Sequence, residues 1–145
     1  MAQTNLDMGK VTVQITLRNW GDIEMVALGK RKALPREQQA EALVDTGATK
    51  FYLRPSVIKA LGLRQIGEGK SQTMSNRLER RRIFSLTELE IQGRKGRFDV
   101  VEVPEARPNT IGQIPLRDLD WVVDLKNRRL IPNPEHKNGV MFDDF

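Results

Sequence analysis

The chain has 145 residues, of which 39% are hydrophobic and 30% charged, as expected for one soluble globular domain. It contains no cysteine, which excludes disulfides, thiolate nucleophiles and cysteine-ligated metals, and a single histidine, His136, in a polar stretch that is typical of a loop. The formal net charge is +5, so the chain is moderately basic, and the acid–base chemistry of an enzyme with this composition would depend mainly on carboxylates.

The N-terminal part of the chain predicts short strands. Apolar residues alternate with polar ones from Val11 to Leu17, which is the period of a half-buried strand. A less regular strand is predicted at residues 23–28, and an exposed basic connection at residues 29–39. The apolar run that follows predicts a strand over residues 41–45.

The next segment predicts a strand at residues 51–53 and one short helix. Pro55 suits the first turn of a helix and Gly62 suits its end, so a helix is expected over residues 55–61. The two glycines within residues 67–69 predict a turn.

The rest of the chain predicts more strands and one short helical stretch. Strands are expected at residues 70–74, 83–91 and 98–103, with a polar segment at 75–82 and a turn at 92–96. Residues 115–119 predict a helical turn, and residues 121–125 and 129–131 a final hairpin. The predicted elements are therefore seven to nine strands and one or two short helices. They indicate a mainly β, single-domain barrel or sandwich.

The distribution of charge and the first residues of the chain indicate which partners and which cellular location to expect. Basic residues cluster at 30–32, 77–82 and 94–97, and such clusters can bind phosphate backbones. Aromatic residues make up only 6% of the chain, whereas single-strand binders interleave aromatic platforms with charge, so nucleic acid is disfavoured as a partner. The first ten residues show no apolar signal region, and no apolar run is long enough for a membrane span, so a cytoplasmic protein is expected.

The tripeptide Asp45-Thr46-Gly47, followed by Ala48, has the features of a reactive loop. A carboxylate follows an apolar strand, and the glycine frees its backbone N–H to point back at that carboxylate. An acid held in a tight turn at the end of an apolar strand is costly, and such groups are often functional. Asp-Thr-Gly is also good turn chemistry, so the tripeptide by itself leaves a plain turn as the alternative.

The wider sequence resembles the retropepsin-like aspartic proteases, in particular bacterial single-domain members. Residues 45–48 resemble their active-site loop, and residues 51–63 the strand and helix that follow it. Residues 110–113 (Thr-Ile-Gly-Gln) resemble their second signature, a loop that crosses under the catalytic one before a short helix. Residues 121–132 resemble their last hairpin. The resemblance implies a small closed β-barrel over residues 11–132, with tails at 1–10 and 133–145.

The resemblance also implies a mechanism and a partner. Aspartic proteases need two carboxylates that share a proton and face one water. Since the chain contains one Asp-Thr-Gly, the resemblance implies a symmetric homodimer in which each chain supplies Asp45 as catalytic residue. Thr46, Gly47 and Ala48 would complete the active-site loop, and Ile111 and Gly112 would support it from beneath.

A flap is expected to close over an extended peptide substrate, with its tip near Met74, Ser75 and Asn76. No metal or organic cofactor is expected. The sequence departs from the family pattern in three places: Thr110 replaces a usually apolar residue, residues 29–39 form an extra basic segment, and Ser75-Asn76-Arg77 replaces a common Ala-Asp-Gly.

Two other functions remain open at this point. The flap departure is compatible with a module of the same fold that binds peptides or proteins with little or no turnover. The arginine clusters are compatible with a nucleic-acid binder, whose affinity would fall steeply with salt.

Overall fold

A computed structural model describes residues 10–72, 75–136 and 139–140, which form nine strands and three short helices. The strands are β1 (Val11–Asn19), β2 (Glu37–Val44), β3 (Phe51–Leu53), β4 (Arg64–Gln72), β5 (Leu78–Ile91), β6 (Arg94–Glu102), β7 (Asn109–Ile111), β8 (Trp121–Asp124) and β9 (Arg129–Pro132). The helices are α1 (Trp20–Ala27), α2 (Pro55–Leu61) and α3 (Gln113–Asp118).

Six strands close into a small barrel in the order β1-β2-β7-β3-β6-β5, because β5 also pairs with β1. The predicted mainly β fold with a closed barrel is therefore confirmed. Strand β4 extends the sheet beyond β5 as the outer arm of a long hairpin, and β8 and β9 form a separate two-stranded sheet. Two of the pairings are parallel, β2 with β7 and β3 with β6.

The barrel interior is filled by alternate residues of its strands. In β1 the predicted alternation is confirmed, since Val11, Val13, Ile15 and Leu17 are buried while the residues between them are partly or fully exposed. The same core contains Phe51, whose ring meets that of Phe98 edge to face at a centroid distance of 6.4 Å. This core fixes β2 and β7, which lead into the candidate site.

The strand predicted at residues 23–28 is wrong, because this segment belongs to α1. Asn19 is the N-cap, and its side-chain oxygen accepts a hydrogen bond from the backbone N–H of Asp22 at 2.9 Å. The carboxylate of Asp22 lies in the first turn, where it favours a helix electrostatically. The cap signal therefore outweighs the short apolar run that suggested a strand. With α1, the described residues contain three short helices, whereas one or two were expected.

The turn predicted at residues 67–69 is also wrong. Both glycines lie inside β4, where Gly67 pairs with Ile83 and Gly69 with Arg81. A register shift between Gln65 and Gly67 marks a bulge, which is a common place for glycine in a strand. The partner strand β5 begins at residue 78, inside the segment predicted to be polar connection, so β4 and β5 make a hairpin longer than expected.

Strand β2 likewise starts at residue 37, four residues before the predicted position, and the residue just ahead of it forms an ion pair with α1. Arg36, just ahead of it, donates two side-chain hydrogen bonds to the buried carboxylate of Asp22, at 2.8 and 3.0 Å, and one backbone hydrogen bond at 3.0 Å. These hydrogen bonds from Arg36 lower the pKa of Asp22 from 3.8 to about 2, against the opposing effect of burial. The pair ties the end of the basic connection, at Arg36, to the first turn of α1.

This pair makes folding stability pH-dependent. The pKa of Asp22 is lower in the folded than in the unfolded chain, so its stabilisation is complete above about pH 4 and is lost as the pH falls towards about 2. We expect Asp22→Asn to lower the free energy of unfolding at neutral pH by about 2 kcal/mol and to flatten its change between these pH values. Urea unfolding at a series of pH values measures both effects.

Asp118→Asn is the matched control, since Asp118 is exposed at the end of α3. It should change the free energy of unfolding by less than about 0.5 kcal/mol. An equal loss in both variants, at every pH, would contradict the assignment to Asp22.

Candidate active site

Asp45 directly follows the buried end of β2 and is exposed. Its backbone N–H donates to the carbonyl of Ile111 at 3.0 Å, which continues the parallel pairing of β2 with β7 by one more bond. The chain then turns, and the N–H of Ala48 donates to the Asp45 carbonyl at 3.1 Å. Within this turn the N–H of Gly47 donates to Oδ1 of Asp45 at 2.8 Å. The turn therefore fixes the direction of the carboxylate and supplies a donor to one of its oxygens.

The segment after β7 crosses beneath this loop. Ile111 is completely buried, and the next two residues bond to the loop main chain: Gly112 N–H to the Lys50 carbonyl at 2.8 Å, and Gln113 N–H to the Ala48 carbonyl at 2.9 Å. The loop and the segment that contains Ile111 and Gly112 are therefore joined by main-chain hydrogen bonds into one backbone unit.

Gly112 is required by this close crossing. A Cβ at this position would lie 2.5 Å from the carbonyl oxygen of Lys50 and 2.7 Å from that of Ala48. Both neighbours are backbone atoms that are themselves hydrogen-bonded, so neither can move away cheaply. The glycine of the second signature thus has a steric cause.

Two amide side chains that the sequence analysis gave no role also hold the site. Gln113 donates from Nε2 to the carbonyl of Thr46 at 2.6 Å. Asn109 is buried, donates to the carbonyl of Glu41 at 3.1 Å and accepts from the N–H of Arg54 at 2.9 Å. Asn109 directly precedes the second signature and Gln113 is its last residue, so these two amides were the available signal.

A cleft of about 1020 Å³ separates the active-site loop from the β4–β5 hairpin. Of the predicted site residues, Asp45, Gly47, Ala48 and Ser75 line it. Thr46 instead lines a second hollow of about 420 Å³, on the side of α3 and β8. The structure therefore brings three residues of the predicted active-site loop and one residue predicted for the flap to a single cleft.

Of the other two residues predicted for the flap, the structure describes Asn76. Asn76 lies in the connection between β4 and β5 with a positive φ of 61°, and its side-chain oxygen accepts from Nε2 of Gln72 at 3.1 Å. It does not belong to the described lining of the cleft. Met74 lies outside the described residues.

The aspartyl protease family matches this chain over residues 34–115, which include the loop at Asp45 and the crossing at Gly112. The chain belongs to the aspartyl protease family. Membership supports a hydrolase that acts on peptide bonds and agrees with the geometry, since the matched range contains both halves of the backbone unit. No curated protein matches the chain.

In this aspartyl protease, one other carboxylate among the described residues lines the cleft, and it is already engaged. Glu79 is hydrogen-bonded by Arg81, which holds the pKa of Glu79 below its usual range. His136 does not line the cleft, and its Nδ1 lies 2.6 Å from Oδ2 of Asp120. Asp45 is therefore the carboxylate of the cleft that remains available for reaction in the described part of the chain.

The described residues also bear on metal binding and on membrane spans. No group of three or more His, Asp or Glu side chains in the described part of the chain could hold a metal ion. No helix among the described residues is long and apolar enough to cross a membrane.

The crossing predicts a steric effect at Gly112. Gly112→Ala should lower the free energy of unfolding by about 1–3 kcal/mol, because the new methyl group overlaps two hydrogen-bonded carbonyls. Urea unfolding followed by circular dichroism measures it. Gly67→Ala is the control: a Cβ there meets no atom within 4 Å, so a comparable loss in that variant would contradict the explanation.

Proposed function

We propose that the protein is an aspartic endopeptidase, a single-domain retropepsin-like member of bacterial type, that acts as a symmetric homodimer. The observation that carries this proposal is one exposed, oriented carboxylate, Asp45, beside a cleft whose described lining contains no second uncommitted acid. The mechanism needs two carboxylates that face one water. A second copy of the chain supplies the missing one.

In this dimer the two Asp45 side chains share one proton, since two ionised carboxylates at short range repel each other. The ionised carboxylate takes a proton from the water while the water oxygen attacks the scissile carbonyl carbon, and the protonated one donates to the carbonyl oxygen. Transfer of a proton to the amide nitrogen then lets the C–N bond break. Gly47 supports the required orientation through its N–H bond to Asp45 Oδ1.

The lining of the second hollow supports a location for the proposed dimer interface. It adjoins the active-site loop at Thr46 and is walled by apolar side chains that include Leu116, Trp121 and Leu125. Leu125 is 61% exposed and the nearby α3 residue Ile114 is 45% exposed. A two-fold axis close to Thr46 would cover these apolar groups and bring the Thr46 hydroxyls of both chains together.

The hairpin supports the role of a flap. Strand β4 has one hydrogen-bonded neighbour among the described residues, β5, and both strands contribute to the cleft wall opposite the active-site loop. An extended peptide in the cleft would gain main-chain hydrogen bonds from the flap and the floor. Ser75 and Asn76 would then lie near the flap tip, with Ser75 nearest the substrate, and the flap role of Met74 stays a prediction from the sequence.

Asp45→Asn tests the chemistry. It should lower kcat/KM for peptide cleavage by about 10²–10⁴-fold, because the shared proton and the general base are both lost. Cleavage of a mixed peptide library, read by mass spectrometry at several pH values, measures it, and a statine-type mimic of the tetrahedral intermediate should inhibit the parent. Asp99→Asn, at an exposed position of β6, should retain activity.

Two results would decide against this chemistry. Cleavage by purified Asp45→Asn protein at the parental rate would refute the mechanism. Peptide binding without cleavage by the parent would instead favour a binding module with the same fold.

Leu125→Lys tests the dimer. A charge in the proposed interface should raise the dimer dissociation constant by at least about ten-fold and lower activity per chain in dilute solution, since burial of a lysine costs more than 1.4 kcal/mol. Sedimentation velocity over a concentration series measures the dissociation constant. Leu34→Lys is the control, because Leu34 is 85% exposed and lines neither hollow. A fully active monomeric parent would contradict the dimer.

A further inference from the structure

Large apolar side chains are exposed at the end of α1 and in the connection from α1 to β2. Met25 and Val26 lie in the last turn of the helix, Leu28 is its C-cap, and Leu34 lies in the connection. Leu28 is 67% exposed and Leu34 is 85% exposed, the highest value among the large hydrophobic residues that the structure describes. None of the four lines the cleft or the second hollow, so the proposed peptidase mechanism gives them no role.

The connection that contains Leu34 is held against α1. Arg31 donates from Nη2 to the Leu34 carbonyl at 3.2 Å, and the same nitrogen lies 3.7 Å from Oδ2 of Asp22. Arg36, at the end of the connection, also binds Asp22, which lies in the first turn of α1. The connection therefore runs back along the helix, and the main chain of Leu34 lies close to α1.

Lysines lie among these apolar residues. Lys30 and Lys32 are exposed, and neither forms an ion pair with another described residue. Asp22 is buried and bound to Arg36, so Glu24 is the one exposed acid between residues 20 and 36. This surface is therefore both apolar and positively charged. We call it the basic apolar patch and define it by Met25, Val26, Leu28, Lys30, Lys32 and Leu34.

The start of α1 adds an aromatic ring to this surface. Trp20 is spaced four and eight residues from Glu24 and Leu28, so it shares a helix face with them. It is half-buried, and the guanidinium of Arg97 lies 5.0 Å from its ring centroid. Tryptophan and arginine both combine an apolar body with a polar end, as side chains at a boundary between water and lipid do.

We propose that the basic apolar patch binds the surface of a bilayer that contains anionic lipids. Leu28 and Leu34 enter the boundary between headgroups and acyl chains, and Lys30 and Lys32 bind the lipid phosphates. The charge of the patch is complementary to the headgroups, and its leucines to the layer beneath them. Bilayer binding needs no turnover, so it is independent of the proposed peptidase function.

Binding through the patch keeps the active site away from the lipid. Strand β2 begins at Glu37, directly after the connection, and ends at Val44, directly before Asp45. Its eight residues rise about 3.3 Å each, so the patch and the active-site loop lie at opposite ends of a strand about 25 Å long. A chain that is bound to a bilayer in this way leaves Asp45 accessible to a peptide.

A lipid surface fits the patch better than a protein or a nucleic acid does. Lysine is depleted from the buried centre of protein interfaces, whereas two lysines lie among these apolar residues. Single-stranded nucleic acids stack on aromatic rings, and Trp20, the one aromatic residue between residues 20 and 36, already carries Arg97 on its ring. Exposed leucines contribute neither phosphate contacts nor base stacking.

Vesicle binding by the full chain tests the proposal. Purified protein is sedimented with vesicles of phosphatidylcholine alone and with vesicles that contain about 30% phosphatidylglycerol, in about 0.1 M salt. The apparent Kd for the anionic vesicles should be at least about ten-fold lower, because each lysine near the surface contributes about five-fold, and it should rise with salt. Equal Kd values for both vesicles, or binding to neither, would overturn the proposal.

Two double variants separate the apolar from the charged part of the patch. Leu28→Ser with Leu34→Ser should raise the Kd for both kinds of vesicle, by at least about ten-fold for the anionic ones. Lys30→Gln with Lys32→Gln should instead reduce the ratio between neutral and anionic vesicles to within about three-fold. All four side chains are exposed, so the barrel core is the same in each variant.

Leu78→Ser and Lys126→Gln are the matched controls. Leu78 is 68% exposed, close to the value for Leu28, and Lys126 is exposed in the turn between β8 and β9. Both variants should bind anionic vesicles as the parent does, and so should Asp45→Asn, in which cleavage is expected to be lost. A loss in the two controls equal to that in the patch variants would overturn the assignment to the patch.

A fluorescent label reports the contact with lipid directly. Because the chain has no cysteine, Leu34→Cys and Leu78→Cys each accept a single environment-sensitive fluorophore. Anionic vesicles should shift the emission of the label at position 34 to shorter wavelength and leave that at position 78 unchanged; the reverse would overturn the proposal. Tighter binding of oligothymidylate than of vesicles, lost in the lysine variant and kept in the leucine variant, would assign the patch to nucleic acid instead.

Discussion

The crossing of two backbone segments at Gly112 holds the whole candidate site together. On one side the loop with Asp45 continues β2, and on the other the segment after Ile111 continues β7. Main-chain hydrogen bonds between Asp45 and Ile111, Gly112 and Lys50, and Gln113 and Ala48 join the two sides. Because these bonds are made by backbone groups, the position of the carboxylate depends on the register of the barrel rather than on side-chain contacts.

The same crossing explains why the reactive carboxylate is exposed at the end of a buried strand. The main chain beneath Asp45 is fully engaged, and the Gly47 N–H turns back to its carboxylate, so the side chain projects out of the fold. It acquires unusual chemistry when a second carboxylate and a closed cleft surround it, which is what the proposed dimer and flap provide.

The fold engages several arginines of the described residues in ion pairs or in stacking contacts. Arg18 binds Glu37, Glu88 and Glu90 between strands, and Arg82 binds Glu102. Others are stacked, such as Arg94 over Trp121 at 4.5 Å and Arg97 over Trp20 at 5.0 Å. These arginines support the barrel and its connections.

Local patterns in the sequence determined the mainly β class, the strand from Val11, the helix after Pro55 and the loop at Asp45, because each depends on periodicity or on turn chemistry within a few residues. The strand predicted at residues 23–28 failed since a cap and a carboxylate outweigh a short apolar run. The tertiary structure decided the steric need for Gly112, the closure of the barrel and the meeting of Arg107 with Glu79. Each of these depends on main-chain or charge contacts between residues far apart in the chain, and no local pattern contains that information.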